Sequence, residues 1–318
     1  MELGMGWEGS VLPALAVLVA LLLDHFFGEP PAWAHPVVAM GRYLGALGPR
    51  LVTWRPAAAF VGGTIAWLIG AWLTGVLAMA AEQALRAWPW PVAALILGVL
   101  LKPLLAWRML RDEVAAVEAA LAESLDAGRA RLQRLVSRDV SQLDASQVRE
   151  SAIESLAENL NDSVVAPLFW FVLGGLPAAA IYRFANTADA MWGYRGRYEW
   201  AGKWAARADD VLSWLPARLT GALLCLAAWQ RPAWQALRAE ASRTPSPNGG
   251  WTMGTMALLL GVHLHKPGVY ALNAAGRRPD AAHTRQALAW ARRAVVWATG
   301  MCMTALLATH ALRWATSP

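Results

Sequence analysis

The 318-residue chain has almost no cysteine: Cys225 and Cys302 are the only two, and both fall inside apolar runs. That excludes a disulfide framework and a cysteine-ligated metal centre. Standard nucleotide and zinc signatures are missing as well. There is no Walker loop and no HExxH, and the one GxGxxG, at residues 4–9, has no strand before it and no βαβ pattern after it. The first apolar run lacks a basic start and a small-residue cleavage pattern, so it is expected to stay as a helix and not to be removed as a leader. A net charge of +6 and a pI of about 9.8 do not point to nucleic acid, because the basic residues are scattered among acids and form no stripe. No internal repeat is visible, which counts against the paired halves common in transporters.

What is present is hydrophobic: 57% of residues, with a mean hydropathy of +0.35, above the usual soluble range. Residues 57–81, 163–182 and 294–312 carry no formal charge, and each approaches or exceeds the roughly 20 residues needed to cross a bilayer core. Residues 3–23 are interrupted only by Glu8, and residues 88–107 carry Lys102 near one end, where its amine is expected to snorkel to the headgroups. The expected fold is therefore all-α and polytopic, with about five membrane-crossing helices. The leader has acids and no Lys or Arg, while the loop after the first helix carries Arg42, Arg50 and Arg55, so the N-terminus is expected outside and that loop in the cytoplasm. Gly62, Ala66, Gly70 and Thr74 recur every four residues, a small-residue face for close helix packing. Residues 108–161 are charged and helical by period, a cytoplasmic helical insert in what is read as one membrane-embedded domain over 1–318. Beyond it, residues 163–182 are broken by GGLP, and the apolar stretches 219–229 and 251–264 are too short to cross. Re-entrant or half-crossing segments around a cavity open to the cytoplasm are expected.

Polar residues cluster in four places. Glu150, Glu154, Glu158 and Asp162 are spaced by four and form one slanted helix stripe, opposite Ile153, Leu156 and Leu160. No Lys or Arg on that face relieves the repulsion, so the stripe is either a solvated face or a site for Mg²⁺ and phosphates, with Asn159 beside it as a neutral ligand. The loop DHFFGEPPAWAHPVVAMGR places Asp24, His25, Glu29, His35 and Arg42 at a membrane boundary. Asn186, Asp189, Arg195, Arg197, Lys203, Arg207, Asp209 and Asp210 interleave with Trp and Tyr, which suits either a large anionic ligand with a flat apolar body or an interfacial aromatic belt. In TPSPNGGW, Ser246 and Asn248 are candidate caps of an apolar helix whose start can also hold a phosphate.

The stretches LLLDHFFGEPPAWAHPVVAMGR, VSRDVSQLDASQVRESAIESLAENLNDSVVAPLFWF, ANTADAMWGYR, ADDVLSWLPARLT and SPNGGW, in this order, resemble the CobD/CbiB family, the adenosylcobinamide-phosphate synthases of cobalamin biosynthesis. The resemblance implies a multi-pass protein of the bacterial inner membrane with its active side in the cytoplasm. It implies an ATP-dependent amide ligation of aminopropanol, or its phosphate, to the free propionate carboxylate of the corrinoid adenosylcobyric acid. ATP and Mg²⁺ are then the expected cofactors, and other enzymes of the pathway are candidate partners beside the lipid bilayer.

Carried onto matching positions, the resemblance makes Glu154, Glu158 and Asp162 catalytic, with Glu158 and Asp162 as metal ligands and His35 as base. Arg138, Arg195 and Arg218 bind phosphate, while Asp24, Glu29, Arg42, Asn159, Asn186, Asp189, Tyr194, Arg195, Asp209, Asp210, Ser246 and Asn248 bind substrate. Pro36, Asp139 and Pro247 complete the motifs. Glu29 stands where the family usually has Asp. Glu150 stands where a small apolar residue is expected and is left out of the site. The competing readings are a transporter, against which the missing internal repeat counts, and a non-catalytic regulator resembling AmpE, which is not expected to keep all the acidic and SPN motifs.

Overall fold

A computed structural model describes the backbone of residues 5–316 and the side chains of residues 11–308; the expected outward leader and the GxGxxG at residues 4–9 lie outside the fully described residues. The chain forms two compact units, one from Met1–Ala106, Ala166–Leu212 and Thr299–Pro318, the other from Trp107–Val165 and Ser213–Ala298. The protein is an all-α, polytopic membrane protein. By length and composition, Pro56–Ala87, Trp90–Glu123 and Ala145–Trp192 can cross a bilayer, and Val11–Phe27 is a shorter apolar helix. The expected crossing at 294–312 falls in a helix over Ala281–Thr316, and its last side chains are among those not described.

The first unit is built on α1 (Met5–Phe27), α2 (Pro36–Leu51), α3 (Pro56–Ala84), α4 (Trp90–Leu101), α8 (Ala166–Trp192) and α9 (Lys203–Leu212). One side of α3 exposes Phe60, Val61, Ile65, Leu68, Ile69 and Trp72, which is stable only against hydrocarbon. Its small-residue side packs inward as expected. A Cβ on Gly70 would come within 2.2 Å of the Phe184 ring of α8, and the Tyr43 hydroxyl of α2 donates to Ala66 O at 2.8 Å.

GGLP breaks α8 as expected. Gly174 (φ −149°, ψ 26°) and Gly175 (φ 65°, ψ −158°) leave the helical region, and the second torsion pair is accessible essentially to glycine alone. The carboxylate of Glu82, at the end of α3, meets this break and accepts from Leu176 N–H at 2.8 Å. A capping acid at the restarted helix satisfies a donor that hydrocarbon could not.

The second unit holds α5 (Trp107–Glu123), α6 (Leu125–Leu132), α7 (Ala145–Leu160), α10 (Trp214–Ala228), α11 (Trp234–Ala241) and α12 (Gly249–Leu260). A small antiparallel hairpin of β1 (Leu264–Lys266) and β2 (Tyr270–Leu272) precedes α13 (Ala281–Thr316). The insert does not stand alone: α5, α6 and α7 share one unit with Ser213–Ala298. Arg149 of α7 grips Glu118 of α5 in a fork, at 2.7–3.2 Å, and Arg131 of α6 reaches Glu113 at 2.8 Å. α10 and α12 remain too short to cross, as their apolar stretches implied.

Gly175→Ala adds a Cβ that would meet Glu82 Oε2 at 2.7 Å in a backbone region closed to alanine. It should cost about 1–3 kcal/mol from torsional strain alone, read as a lowered Tm in detergent, whereas Gly196→Ala, also at positive φ but with open space around it, should cost less.

Candidate functional site

α7 begins at a full capping box, in which Asp144 accepts from Gln147 N–H and the Gln147 side chain accepts from Asp144 N–H. The cap sets the rotation of the helix, and Ile153, Leu156 and Leu160 are fully buried as the pattern required. Of the two readings left open for the acid stripe, a solvated face does not hold for its first half: Glu150 and Glu154 are only 2% and 3% exposed, while Glu158 is exposed and Asp162 half-buried. After Glu158 the chain enters a π turn, Asn161–Val165, so the four-residue spacing no longer governs Asp162. There the Asn161 amide donates to Asp162 Oδ1 at 2.8 Å and accepts from the Thr220 hydroxyl of α10 at 3.1 Å. Asn159 turns back to its own helix and donates to Ser155 O at 3.0 Å.

The missing counter-charge comes from outside the helix. Arg138, in the loop before α7, donates to Glu154 Oε2 at 2.7 Å, a pair invisible to spacing rules that consider one helix at a time. Tyr270 of β2 lies close to Glu154 and Glu158; burial first, then these two carboxylates, push its phenol well above the ordinary range and keep it protonated. His263 Nδ1 lies 3.8 Å from Glu150 Oε1, and its ring stacks on His265 with centroids 5.4 Å apart. Burial, then His265 and Arg278, hold His263 below the usual imidazole range. Tyr270, Asn161 and Thr220, which no sequence pattern singled out, and Glu150, which the family pattern left aside, all lie against the stripe.

The TPSPNGGW turn belongs to the same unit. The Ser246 hydroxyl accepts from Asn248 N–H at 3.1 Å and Gly249 N–H at 3.4 Å, so it supports the start of α12 from two residues before the cap, while Asn248, at the cap position, makes no side-chain cap bond. Asn248 instead accepts from Arg218 Nη1 at 2.7 Å. Arg218 also donates to Trp214 O and Pro247 O and lies between the Trp214 and Trp251 rings, 4.4 and 4.9 Å from their centroids. The first residue of α12 faces the stripe, since a Cβ on Gly249 would sit 3.6 Å from Glu158 Oε1.

The first unit gathers the other expected residues into two groups. Lys102 does not snorkel. It is 5% exposed and bridges Asp24 Oδ1 at 3.3 Å and Glu29 Oε1 at 2.9 Å. Snorkelling failed because α4 ends beside α1, where two carboxylates offered a nearer partner than the headgroups. His35 caps α2: Nδ1 accepts from Val37 N–H at 3.2 Å and Nε2 bonds Glu29 Oε2 at 3.0 Å, so both ring nitrogens are committed. In the second group, Arg183 donates to Asn186 at 3.3 Å and Asn186 donates to Asp209 at 3.4 Å. Asp189 accepts from Gly193 N–H through its backbone carbonyl, and Asp210 lies 4.0 Å from Arg207. Arg42, Tyr194, Arg195 and Asp139 are exposed.

With the geometry established, comparison identifies the lineage. The CobD/Cbib protein family matches residues 17–308. The chain belongs to the CobD/CbiB family. It is 40% identical over 281 residues to the probable cobalamin biosynthesis protein CobD of Pyrococcus abyssi, covering 87% of this chain and 90% of that one. It is 41% identical over 260 residues to the cobalamin biosynthesis protein CobD of Chromobacterium violaceum, covering 79% and 81%. The counterpart from Photorhabdus laumondii is 38% identical over 265 residues. No solved structure matches. Within this CobD/CbiB fold, the buried acids and Arg138 form the charged cluster of the second unit, and Lys102, Asp24, Glu29 and His35 that of the first.

Arg138→Gln should strand Glu154 without its cation and lower stability by roughly 3 kcal/mol. The double variant Arg138→Met with Glu154→Met should lose much less, and a Tm series on the three proteins distinguishes a coupled pair from two independent losses.

Proposed function

We propose that this chain catalyses the ATP-dependent amide ligation of aminopropanol or its phosphate to the free propionate carboxylate of adenosylcobyric acid, at the cytoplasmic face of the inner membrane. One observation carries the reading: in a CobD/CbiB protein, a paired Arg138–Glu154, the surface carboxylate Glu158 and the capped start of α12 meet in one unit.

Mg²⁺ and ATP fit the donor set. Among the described residues no three His, Cys, Asp or Glu side chains assemble into a complete cage, and Mg²⁺ does not need one, since it keeps waters and substrate phosphates around one or two carboxylates. Arg138 Nη1, Glu154 Oε1 and Glu150 Oε2 are buried without a hydrogen-bond partner, unspent capacity of the kind a polar ligand uses. Glu158 and Asp162 would hold the metal, and Arg138 would hold phosphate oxygens beside the start of α12. Bound Mg²⁺–ATP supplies the leaving group that a carboxylate oxygen lacks.

The chain's own residues do the rest. Arg218, fixed between two indoles, holds the Ser246–Asn248 turn in place, so that the start of α12 is set beside Glu158 before a ligand arrives. Forming the amide joins the amine nitrogen to the carboxyl carbon, releases one carboxylate oxygen on phosphorus, and frees one proton. Both nitrogens of His35 are already engaged, so we assign that proton to a carboxylate of the stripe that the family motif carries.

Glu158→Gln should lower amide formation by about 10²–10³-fold, the scale for losing one charged group at a transition state. Because Glu158 is exposed, Tm should hold. Mass detection of the amide from adenosylcobyric acid, ATP, Mg²⁺ and aminopropanol phosphate decides it, and near-normal yield rejects the assignment. Arg195→Cys, in a cysteine-free background, should react only with an impermeant thiol reagent added from the cytoplasmic side.

A further inference from the structure

Among the described residues the strands form one hairpin in a protein otherwise helical, and that hairpin sets a phenol against the acid stripe. Leu264 and Leu272 pair across it and are fully buried. Asn273, at a φ of 47°, closes it: the side chain donates to Val262 O at 3.0 Å and Ala257 O at 3.3 Å, and the N–H donates to Glu240 Oε2 at 2.9 Å. The base is pinned again where His263 N–H donates to Arg277 O at 2.8 Å and Arg277 N–H to Gly261 O at 2.9 Å. The hairpin is thereby tied to α11 and α12, and the position of Tyr270, paired with Lys266, is fixed with it.

The Tyr270 hydroxyl donates to Met253 Sδ of α12 at 3.5 Å. A Cβ on Gly249, one turn earlier, would lie 3.0 Å from the Met253 methyl and 3.6 Å from Glu158 Oε1. The phenol, the first turn of α12 and Glu158 therefore border one space. Tyr270 is half-buried and Glu158 exposed, so that space is open to a solute. A thioether is a weak acceptor, and an oxygen gaining negative charge displaces it. Burial and the nearby carboxylates keep the phenol protonated, which suits Tyr270 to donate and not to act as a base. A cation in its place would be drawn onto the acids, as Arg138 is onto Glu154. When an amine adds to an activated carboxyl group, negative charge collects on the carbonyl oxygen, and a donor already fixed there stabilises it.

We propose that Tyr270 is a further catalytic residue, whose hydroxyl turns from Met253 to donate a hydrogen bond to the carbonyl oxygen of the reacting carboxyl group as the amine adds. Tyr270 keeps its proton throughout, and the proton freed by the amine goes to the stripe. The assignment rests on the ligation reading and adds to it the neutral donor that the acids cannot supply.

Steady-state amide formation by the full chain carrying Tyr270→Phe tests it. Loss of the one oxygen should lower kcat by about 10²-fold, the scale for one oxyanion donor, with KM for amine and corrinoid held within about twofold. The Tm should hold, and the kcat–pH profile should run parallel to that of the wild type, because a donor that keeps its proton adds no limb of its own. Met253→Leu removes the resting acceptor, keeps the apolar volume, and should work at the wild-type rate. A kcat for Tyr270→Phe within about twofold of the wild type, a loss confined to KM, a Tm lowered in step with the rate, a missing limb in the pH profile, or Met253→Leu as slow as Tyr270→Phe would each overturn the assignment and leave the ligation reading in place. No amide from the wild type would overturn both.

Discussion

Burying two carboxylates one helical turn apart is the constraint around which the second unit is organised. Glu150 and Glu154 are nearly inaccessible, and an isolated buried carboxylate is too costly to keep ionised. The fold answers each acid from a different element. Arg138 arrives from the loop before the helix, Tyr270 from β2, and His263 from the approach to the hairpin. None of these is a neighbour in sequence, so the acids can be buried only once the unit has closed. The answer is also incomplete: Arg138 Nη1 and one oxygen of each acid are left without partners. A structure optimised for stability alone would replace such a cluster with apolar side chains, often at no cost.

The first unit solves the same problem more completely. Lys102, Asp24 and Glu29 meet where α1 and α4 end, and His35 joins through Glu29 while capping α2. Three chain segments are thus fixed by one polar knot at the level where hydrocarbon gives way to headgroups. Glu82 makes a comparable closure at the α8 break, where its carboxylate stands in for the carbonyl-to-amide bond that Gly174 and Gly175 interrupt.

The helices were legible because apolar period and length are local. The break at GGLP was legible for the same reason, since two glycines and a proline leave few options within a turn. Packing of Gly70 on Phe184 followed from the small-residue spacing. Four features were not legible, two because they depend on distance along the chain and two because they are too short to register in a pattern. The Arg138–Glu154 pair spans 16 residues. Lys102 was assigned to headgroups because nothing nearby in sequence offered a carboxylate. The strands of the hairpin are three residues each, too short for any alternation to register. The π turn shifted Asp162 out of a stripe that spacing alone had carried through it.

Glu150 shows how resemblance and geometry divide the work. The family pattern called for a small residue there and removed it from the site, but in this chain the side chain is buried beside Glu154 with one oxygen unbonded. A small residue at that position would leave room that Glu150 now fills, and would remove the charge nearest His263. The departure therefore cannot be neutral to its surroundings. His263 and His265 stack over the end of the same stripe; burial pushes the Glu150 carboxyl up to about 7 and holds His263 below the imidazole range, and both shifts favour a neutral acid beside a neutral imidazole. Where this chain departs from its relatives' pattern, acid and imidazole have to be read as a pair.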